Sequence, residues 1–360
     1  MYLKHLFLQN FRNYSKSDFN FSQDTTLVVG PNTSGKTNLI EAIYLLSTGK
    51  SFRSEKDYQM ISFDKDLARV KGKIDDIELE IVLTNEGLKK YLVNGVSKRK
   101  ADFASNLPLV LFNPEDLEII IDSPSLRRNF LDEVLEQEDR DYRFAIIAYT
   151  KALRQRNALL ELARETGRQG KEKQFEYWDD LCIKNGEIVT AKREEFITFL
   201  NNADKEIFDF QVVYDKSIIS PERLLQYKNA EVGAGVTLVG PHRDDFSVHM
   251  FNNQRQTTHD VKFFGSRGQQ RLAILQLKLL QLEYLEKRIG QRSTFTEASA
   301  DRPILLLDDI FSELDSEHIQ LVLEMVDKQQ TIMTATHKEF FDKKFLRGVS
   351  VIELGLNGKV

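Results

Sequence analysis

Cysteine is almost missing from this chain: Cys182 is the only one in 360 residues. One thiol cannot build a disulfide framework, and such scarcity fits a reducing cytoplasm. Cys182 falls among apolar residues at helical spacing, the setting of a packed thiol and not of a reactive one. Long apolar runs are missing too. None approaches the roughly 18 residues of a membrane span, so no membrane partner is expected. The opening Met1-Tyr2-Leu3-Lys4-His5-Leu6 lacks the apolar core and cleavage site of a secretory signal. A positive charge excess is also absent. Fifty Lys and Arg stand against 55 Asp and Glu, a formal net charge of −5, so any contact with nucleic acid must come from local basic patches. Internal repeats and low-complexity tracts are not found. What remains is the composition of a globular chain, 41% hydrophobic and 29% charged, long enough for two cored lobes.

Against this background one motif is complete. Gly30-Pro31-Asn32-Thr33-Ser34-Gly35-Lys36-Thr37 reads G-x-x-x-x-G-K-[ST]. It lies between the apolar run Thr25–Val29 and a helical pattern from Asn38 to Leu46, the strand–loop–helix setting that a phosphate-binding loop requires. Glycine lets such a loop curl so that successive N–H groups face phosphate oxygens, and the following helix adds its positive end. The motif predicts a nucleoside triphosphate with Mg2+. Lys36 is expected at the β- and γ-phosphates, and the Thr37 hydroxyl at the metal. A chance match of the four fixed positions arises in roughly one chain per hundred of this length, and the flanks reduce that further.

The texture of the chain changes twice. Residues 1–112 carry strand signals, with Ala68–Lys73, Ile77–Leu83 and Leu88–Val93 as short strands and Asn94-Gly95 as a hairpin turn. Residues 124–205 are helical in pattern. Phe144, Ile147, Ala148 and Ala152 form one stripe; Trp178, Leu181, Cys182, Ile188, Val189, Phe196, Phe199 and Leu200 form another. A polar stretch, 167–171, joins them, and two long helices so joined make an arm. Strand signals return from about 208. The expected fold is therefore α/β. Lobe I is built from 1–115 plus 235–360, and a mostly helical lobe II, 116–234, is inserted into it.

The returning half carries a second constellation. Ile304–Asp309 is an apolar strand ending in two carboxylates, the form of a Walker B motif. Asp308 is placed to hold Mg2+ and Asp309 to orient or deprotonate the attacking water. Ser312-Glu313-Leu314-Asp315 follows. Thr331–Thr336 reads as a further core strand ending at His337, whose order along the chain suggests a γ-phosphate sensor. The Lys36 loop and the Asp308 strand are expected side by side at the carboxyl ends of one sheet. Between the halves, Ser266-Arg267-Gly268-Gln269-Gln270-Arg271 opens an amphipathic helix over Leu272–Leu285. Serine and glycine at a helix N-terminus form an anion site, and the chain's own phosphate loop is already committed. The ABC-type solution is a head-to-tail pair, in which Ser266, Gly268 and Gln269 of one copy meet the γ-phosphate held by Lys36 of the other. Residues 289–302 read as a surface loop.

With these motifs in order, the chain resembles the RecF recombination and repair ATPases of the ABC/SMC-like group. Asn10-Phe11-Arg12-Asn13-Tyr14 matches the segment that lies beside the nucleotide in that group, which implies nucleotide-binding roles for Arg12 and Asn13 beside residues 30–38. Pro114–Leu117, Ser123–Asp132 and Val239–Asp245 match further family stretches. The resemblance implies an ABC-type P-loop ATPase lobe with an inserted helical arm, using ATP and Mg2+. Lys36, Asp308, Asp309 and His337 would serve catalysis, and Thr37 and Asp308 the metal. It implies an ATP-dependent homodimer that binds single- and double-stranded DNA at gaps without strong sequence preference. It also implies recombinase loading with RecO and RecR, a part in the SOS response, and a nucleoid-associated place in the bacterial cytoplasm. Local support for DNA comes from Lys151, Arg154, Arg156, Arg164, Arg168, Lys171 and Lys173 on the arm and from Lys98-Arg99-Lys100; interleaved Glu161, Glu165 and Glu172 also suit plain solvated faces.

Two departures stand out. Asp122 replaces a customary glycine, and the carboxylate after Asp308 is Asp309 where glutamate is usual, which suits a slow switch better than a motor. Asn113-Pro114-Glu115 is the candidate Q-loop hinge. A transporter subunit would carry a Leu-Ser-Gly-Gly-Gln-type signature and a compact subdomain, and a GTPase would need Asn-Lys-x-Asp; neither is found. A non-hydrolysing ATP-gated DNA clamp, or another SMC-like ABC ATPase, remains the alternative.

Overall fold

The computed structural model describes residues 2–104, 106–166, 172–252, 257–292, 302–312, 319–320, 322–323, 326, 328–341 and 343–355. The expected 167–171 loop, Glu313-Leu314-Asp315 and most of the 289–302 loop lie outside the described residues. The chain divides into two compact units, Met1–Asp116 with Gln281–Val360, and Leu117–Leu280.

The first unit carries two sheets. Strands β1 (Leu3–Phe11), β2 (Tyr14–Asn20), β4 (Leu67–Ile74), β5 (Ile77–Thr84), β6 (Lys89–Val93) and β7 (Val96–Lys98) make an antiparallel sheet in the order β2-β1-β4-β5-β6-β7. Its central strands β4 and β5 alternate buried and more open positions, the signature of a sheet covered on one face. Asn94 and Gly95 turn the β6–β7 hairpin, both at positive φ (50° and 75°), as a two-residue primed turn demands. The second sheet is parallel. It contains β3 (Thr25–Val29), β8 (Leu109–Phe112), β12 (Ile304–Asp308), β13 (Thr331–Ala335) and β14 (Ser350–Glu353), in the order β14-β3-β13-β12-β8. β12 and β13 are buried along their whole length, the pattern of strands covered on both faces.

Helix α1 (Lys36–Thr48) has buried residues all around its axis, as expected of a helix enclosed within a core. Leu39, Ile40, Ile43 and Leu46 share one apolar cluster with Leu6, Val70 and Ile81 of the antiparallel sheet and Val28, Leu306 and Ile332 of the parallel one. The phosphate loop thus leads into a helix enclosed within the core of its unit. The Lys36 loop and the end of the Asp308 strand lie side by side at the carboxyl ends of this sheet, with Thr37 Oγ1 3.3 Å from Asp308 Oδ1; β13 stands between their strands β3 and β12 and pairs in parallel with both.

The second unit contains short α3 (Glu118–Ile121), following α2 (Lys100–Phe103) of the first unit, then α4 (Pro124–Glu138), α5 (Arg140–Thr166), α6 (Glu172–Asn202) and α7 (Pro221–Ala234). Strands β9 (Phe210–Asp215), β10 (Asp245–Asn252) and β11 (Thr257–Asp260) form an antiparallel sheet, β11-β10-β9. Short α8 (Val261–Phe264) and long α9 (Arg267–Arg292) follow. The expected return near 235 is therefore displaced. β10 pairs with β9 from Asp245↔Asp215 to Met250↔Phe210, which keeps 235–280 with the helical unit. The α6 stripe is buried as read, at Cys182, Val189, Phe196 and Leu200. On α5 the stripe shifts. Ile147 is 51% exposed, and the buried face is Tyr142, Ala145, Tyr149, Ala152, Arg156, Leu160 and Ala163, which recur at three- and four-residue steps. Asp122 adopts φ −103°, outside the left-handed region, so no glycine is required there.

The Val239–Asp245 and Ser123–Asp132 stretches meet inside this unit. Arg193 is fully buried and donates to Asp132 (2.7 Å), Asp244 (2.9 Å), the Pro241 carbonyl (2.7 Å) and Tyr142 Oη (3.1 Å). Arg127 forms a two-pronged pair with Asp245 at 2.6 and 3.0 Å. Gly240 lies at φ 124°, where a Cβ would stand 2.3 Å from Tyr149 Oη. Nearby, His242 Nε2 donates to the Thr237 carbonyl (3.0 Å), leaving Nδ1 to accept from Tyr149 Oη (2.7 Å). Burial and neighbouring guanidinium groups push this imidazole down to about 4.

Candidate functional site: a phosphate loop with its carboxylate pair

Within the first unit, the turn from β3 into α1 has the backbone of an anion cradle. Thr33 (φ 71°) and Gly35 (φ 104°) both take the left-handed conformation, which turns successive N–H groups toward one side. Gly35 admits no side chain, since a Cβ would lie 2.7 Å from Asn13 Nδ2 and 2.8 Å from Tyr14 Oη. Pro31, Asn32 and Thr33 are exposed, while Gly30, Ser34 and Gly35 are buried. Ser34 Oγ is buried with no hydrogen-bond partner among the described residues. Lys36 Nζ bends back over the loop to the carbonyls of Gly30 (2.8 Å) and Pro31 (3.1 Å). Burial lowers its pKa, opposed by the carboxylates of Asp309 and Asp308.

The carboxylates stand at the end of β12. Asp308 Oδ1 accepts from Thr37 Oγ1 (3.3 Å) and from Thr334 Oγ1 (2.7 Å). Thr334 in turn accepts from the Asp309 N–H (3.0 Å). Thr334 belongs to β13, so the intervening strand supplies the bridge between loop and carboxylate. Burial raises the Asp308 pKa, the two threonine hydroxyls hold it down, and Asp309 and Arg53 act in opposite senses. Asp309 sits at φ 52°, a conformation aspartate tolerates better than most residues. His337 follows β13 with its side chain 71% exposed and Nδ1 4.0 Å from the Glu339 carboxylate.

The segment expected beside the nucleotide packs against the loop. Asn13 Nδ2 donates to the Ser34 carbonyl (3.4 Å), and its Oδ1 accepts from Asn38 (2.8 Å). Tyr14 Oη donates to the Gly35 carbonyl (3.0 Å). Arg12 is engaged differently. Its guanidinium donates to Glu41 at 2.8 and 2.6 Å, to the Gln59 carbonyl at 2.7 Å and to Ser54 at 2.5 Å. Four of its five N–H groups thus meet protein acceptors. Two residues were missed in the sequence: Thr334, hidden in an apolar strand, and Arg53, whose Nη1 donates to Asn38 Oδ1 (3.0 Å). A polar Thr in a core strand next to the acidic one was the available signal.

Ser266, Gly268 and Gln269 belong to the second unit. Ser266 caps α9 in a reciprocal box: its Oγ accepts from Gln269 N–H (3.2 Å) and its N–H donates to Gln269 Oε1 (2.9 Å). The cap uses a lone pair of the hydroxyl and leaves its proton to donate elsewhere. Among the described residues, a Cβ on Gly268 would meet only Ser266 Oγ, at 3.9 Å.

The family model described as the RecF/RecN/SMC N terminal domain matches residues 2–353. The DNA replication and repair protein RecF of Halalkalibacterium halodurans is 34% identical over 98% of both chains. The chain belongs to the RecF family. A RecF from Clostridium botulinum is 35% identical, over 100% of this chain and 99% of that one. Among solved structures, the recombination mediator protein RecF of the RecFOR pathway with ATPrS aligns at TM-score 0.82 and 31% identity, covering 95% of this chain and 94% of that one. Its ATP form gives the same TM-score and identity. A Smc head domain from Pyrococcus furiosus, at 16% identity and TM-score 0.52, shares the fold. The fold class is thus the ABC-type ATPase architecture common to RecF and SMC heads. No helix among the described residues is long and apolar enough to cross a membrane.

Proposed function

We propose that this RecF-family chain is a slow, DNA-dependent ATPase of recombinational repair and replication restart, which pairs with a second copy on ATP. The observation that carries the reading is the hydrogen-bonded relay Thr37–Asp308–Thr334–Asp309 beside the Lys36 loop. It gathers, from three elements, a cation for phosphate, two hard oxygen donors and a second carboxylate. The residues fit the ligands. Ser34 Oγ is buried and, among the described residues, unpartnered in a cradle of positive-φ residues. Thr37 Oγ1 and Asp308 Oδ1, 3.3 Å apart, are oxygen ligands of the kind Mg2+ takes. Bound Mg2+ would supply charge neutralisation at the β- and γ-phosphates.

The chain's residues then divide the work. The loop N–H groups and Lys36 hold the phosphates. Thr334 fixes the rotamer of Asp308 and, through the Asp309 N–H, the backbone of the candidate base. Asp309 orients water or takes its proton. His337 stands as γ-phosphate sensor at the end of the strand between β3 and β12. Asn13, Asn38 and residues 30–35 shape the pocket. Ser266, Gly268 and Gln269 act on the γ-phosphate of the partner's nucleotide, which makes ATP part of the dimer interface.

DNA contact is assigned to exposed cations of the arm, including Lys151, Arg154 and Lys173. Arg156 is removed from that group: it is buried against Asp179, Glu231 and Thr237. The similarity to DNA replication and repair proteins, and to a recombination mediator of the RecFOR pathway, supports work at gapped DNA with RecO- and RecR-type partners; the SOS response is proposed on family grounds alone. Phosphate release measured with and without gapped DNA tests the enzyme reading. Release that rises with DNA and is lost in Asp309→Asn supports it. No release under either condition would favour the non-hydrolysing clamp.

A further inference from the structure

Two phenylalanines directly before the Ser266 cap are left in solvent. Phe263 is 73% exposed and Phe264 65%, side by side in α8. Large exposed aromatics are uncommon on a surface that stays wet, and a contiguous pair marks an interaction site. They do not hang from a loose loop. Val261, at the start of the same helix, is fully buried, and Asp260 caps α8 by accepting from the Lys262 N–H (2.8 Å). Gln270, in the first turn of α9, donates to the carbonyls of Val261 (3.3 Å) and Lys262 (3.2 Å). Gly265 closes the turn, where a Cβ would strike the Val261 carbonyl at 2.6 Å. The aromatic pair and the Ser266 cap are therefore held as one rigid surface.

We infer that Phe263 and Phe264 are contact residues of the ATP-dependent dimer, covered by the Lys36-loop unit of a second copy. This rests on the proposed trans role of Ser266, and three observations select that occupant. The pair is continuous with Ser266, two and three residues away, so whatever meets Ser266 also approaches the rings. The charge is complementary as well. Exposed Arg267 follows the serine, and Lys262 Nζ lies 5.5 Å from the Phe263 ring centroid, while the opposing site bears a triphosphate and the Asp308–Asp309 pair. The receiving unit also has apolar surface to offer. Phe63 is 92% exposed and Tyr58 50%, on either side of Met60–Ser62, which binds the Arg12 backbone. In a two-fold dimer each ring counts twice, as aromatic anchors of an interface do.

The test compares dimer dissociation constants in ATP for the full-length parent, Ser266→Arg, and the Phe263→Ser/Phe264→Ser double variant, by sedimentation. ATP affinity of each monomer and retention on gapped DNA are read in parallel. The inference expects the double variant to bind ATP as the parent does and to dimerise about 100-fold more weakly. The single Phe263→Ser, at the more exposed site, carries the test if the double variant misfolds, with a loss of about tenfold. Parent-like dimerisation of the folded Phe variants, with Ser266→Arg monomeric, overturns this inference and leaves the trans reading standing. The same result with loss of DNA retention assigns the rings to nucleic acid and also overturns it. A parent that stays monomeric in ATP would instead sink the trans reading itself.

Discussion

Replacing Glu41 by glutamine removes the negative charge from a side chain that is fully buried in α1, one turn after Thr37. Glu41 accepts two hydrogen bonds from Arg12, at 2.8 and 2.6 Å, and one from Ser51 Oγ at 2.5 Å. Breaking one side of a buried ion pair costs about 3–5 kcal/mol, chiefly because the other charge is stranded. The Arg12 side chain is 20% exposed, so water takes up part of that cost, and about 2–4 kcal/mol is the expected loss for Glu41→Gln. For a unit of this size that is a fall in Tm of about 5–15 °C. Replacing both partners, as Arg12→Met with Glu41→Leu, strands no charge and is expected to recover most of the loss. Calorimetry of the three variants reads the stability, and titration with a fluorescent ATP analogue reads the site. The geometry assigns Arg12 to the Glu41 pair, so the double variant should bind nucleotide within about threefold of the parent, a difference under about 1 kcal/mol. If the double variant regains its Tm yet loses tenfold or more in ATP affinity, Arg12 is a direct nucleotide ligand and the structural assignment fails.

Other outcomes follow from the same geometry. Lys36→Ala removes the point charge from the phosphate loop and abolishes tight ATP binding, whereas Asp309→Asn keeps binding and stops phosphate release; an Asp309→Asn protein that turns over at the parent rate refutes the base assignment. Asp308→Asn weakens the Mg2+-dependent part of binding, seen as loss of the affinity difference between Mg2+ and chelator. The depressed His242 pKa gives a signed pH dependence: the unfolded imidazole binds a proton near its usual 6.5 and the folded one only near 4. Its contribution is therefore full above 6.5 and lost as pH falls toward 4, about 3 kcal/mol in all, and His242→Gln flattens that part of the stability profile in urea melts. Arg193→Met leaves buried Asp244 and part-buried Asp132 without their shared cation, and costs about 3–5 kcal/mol in unfolding experiments.

Much of this molecule was legible in the sequence where the information is local. The Lys36 loop, the β6–β7 hairpin at Asn94-Gly95, the α6 stripe and the acidic end of β12 each follow from a few neighbouring residues. What was not legible depends on pairing between distant residues. Nothing near Asp245 says that it will stand opposite Asp215, and that register keeps 235–280 with the helical unit. Nor does the sequence show that β13 will slip between β3 and β12 and make Thr334 a bridge. Arg156 looked like one more arm cation because its partner Glu231 lies 75 positions away. Arg53 is one exposed arginine among many until Asn38 and Asp308 are placed beside it. On α5 the apolar stripe misled because Tyr142, Tyr149 and Arg156, which carry polar atoms, are the buried residues and Ile147 is not.

The central claim is that one ATP is held by the Lys36 loop of one copy and the Ser266 cap of another. Sedimentation of the parent and of Ser266→Arg, each with ATP, with ADP and without nucleotide, tests it most directly. The parent should shift to dimer with ATP alone. Ser266→Arg should bind ATP with an affinity close to the parent's, because Lys36 and Thr37 are untouched, and remain monomeric. Dimerisation of Ser266→Arg equal to the parent's would contradict the account.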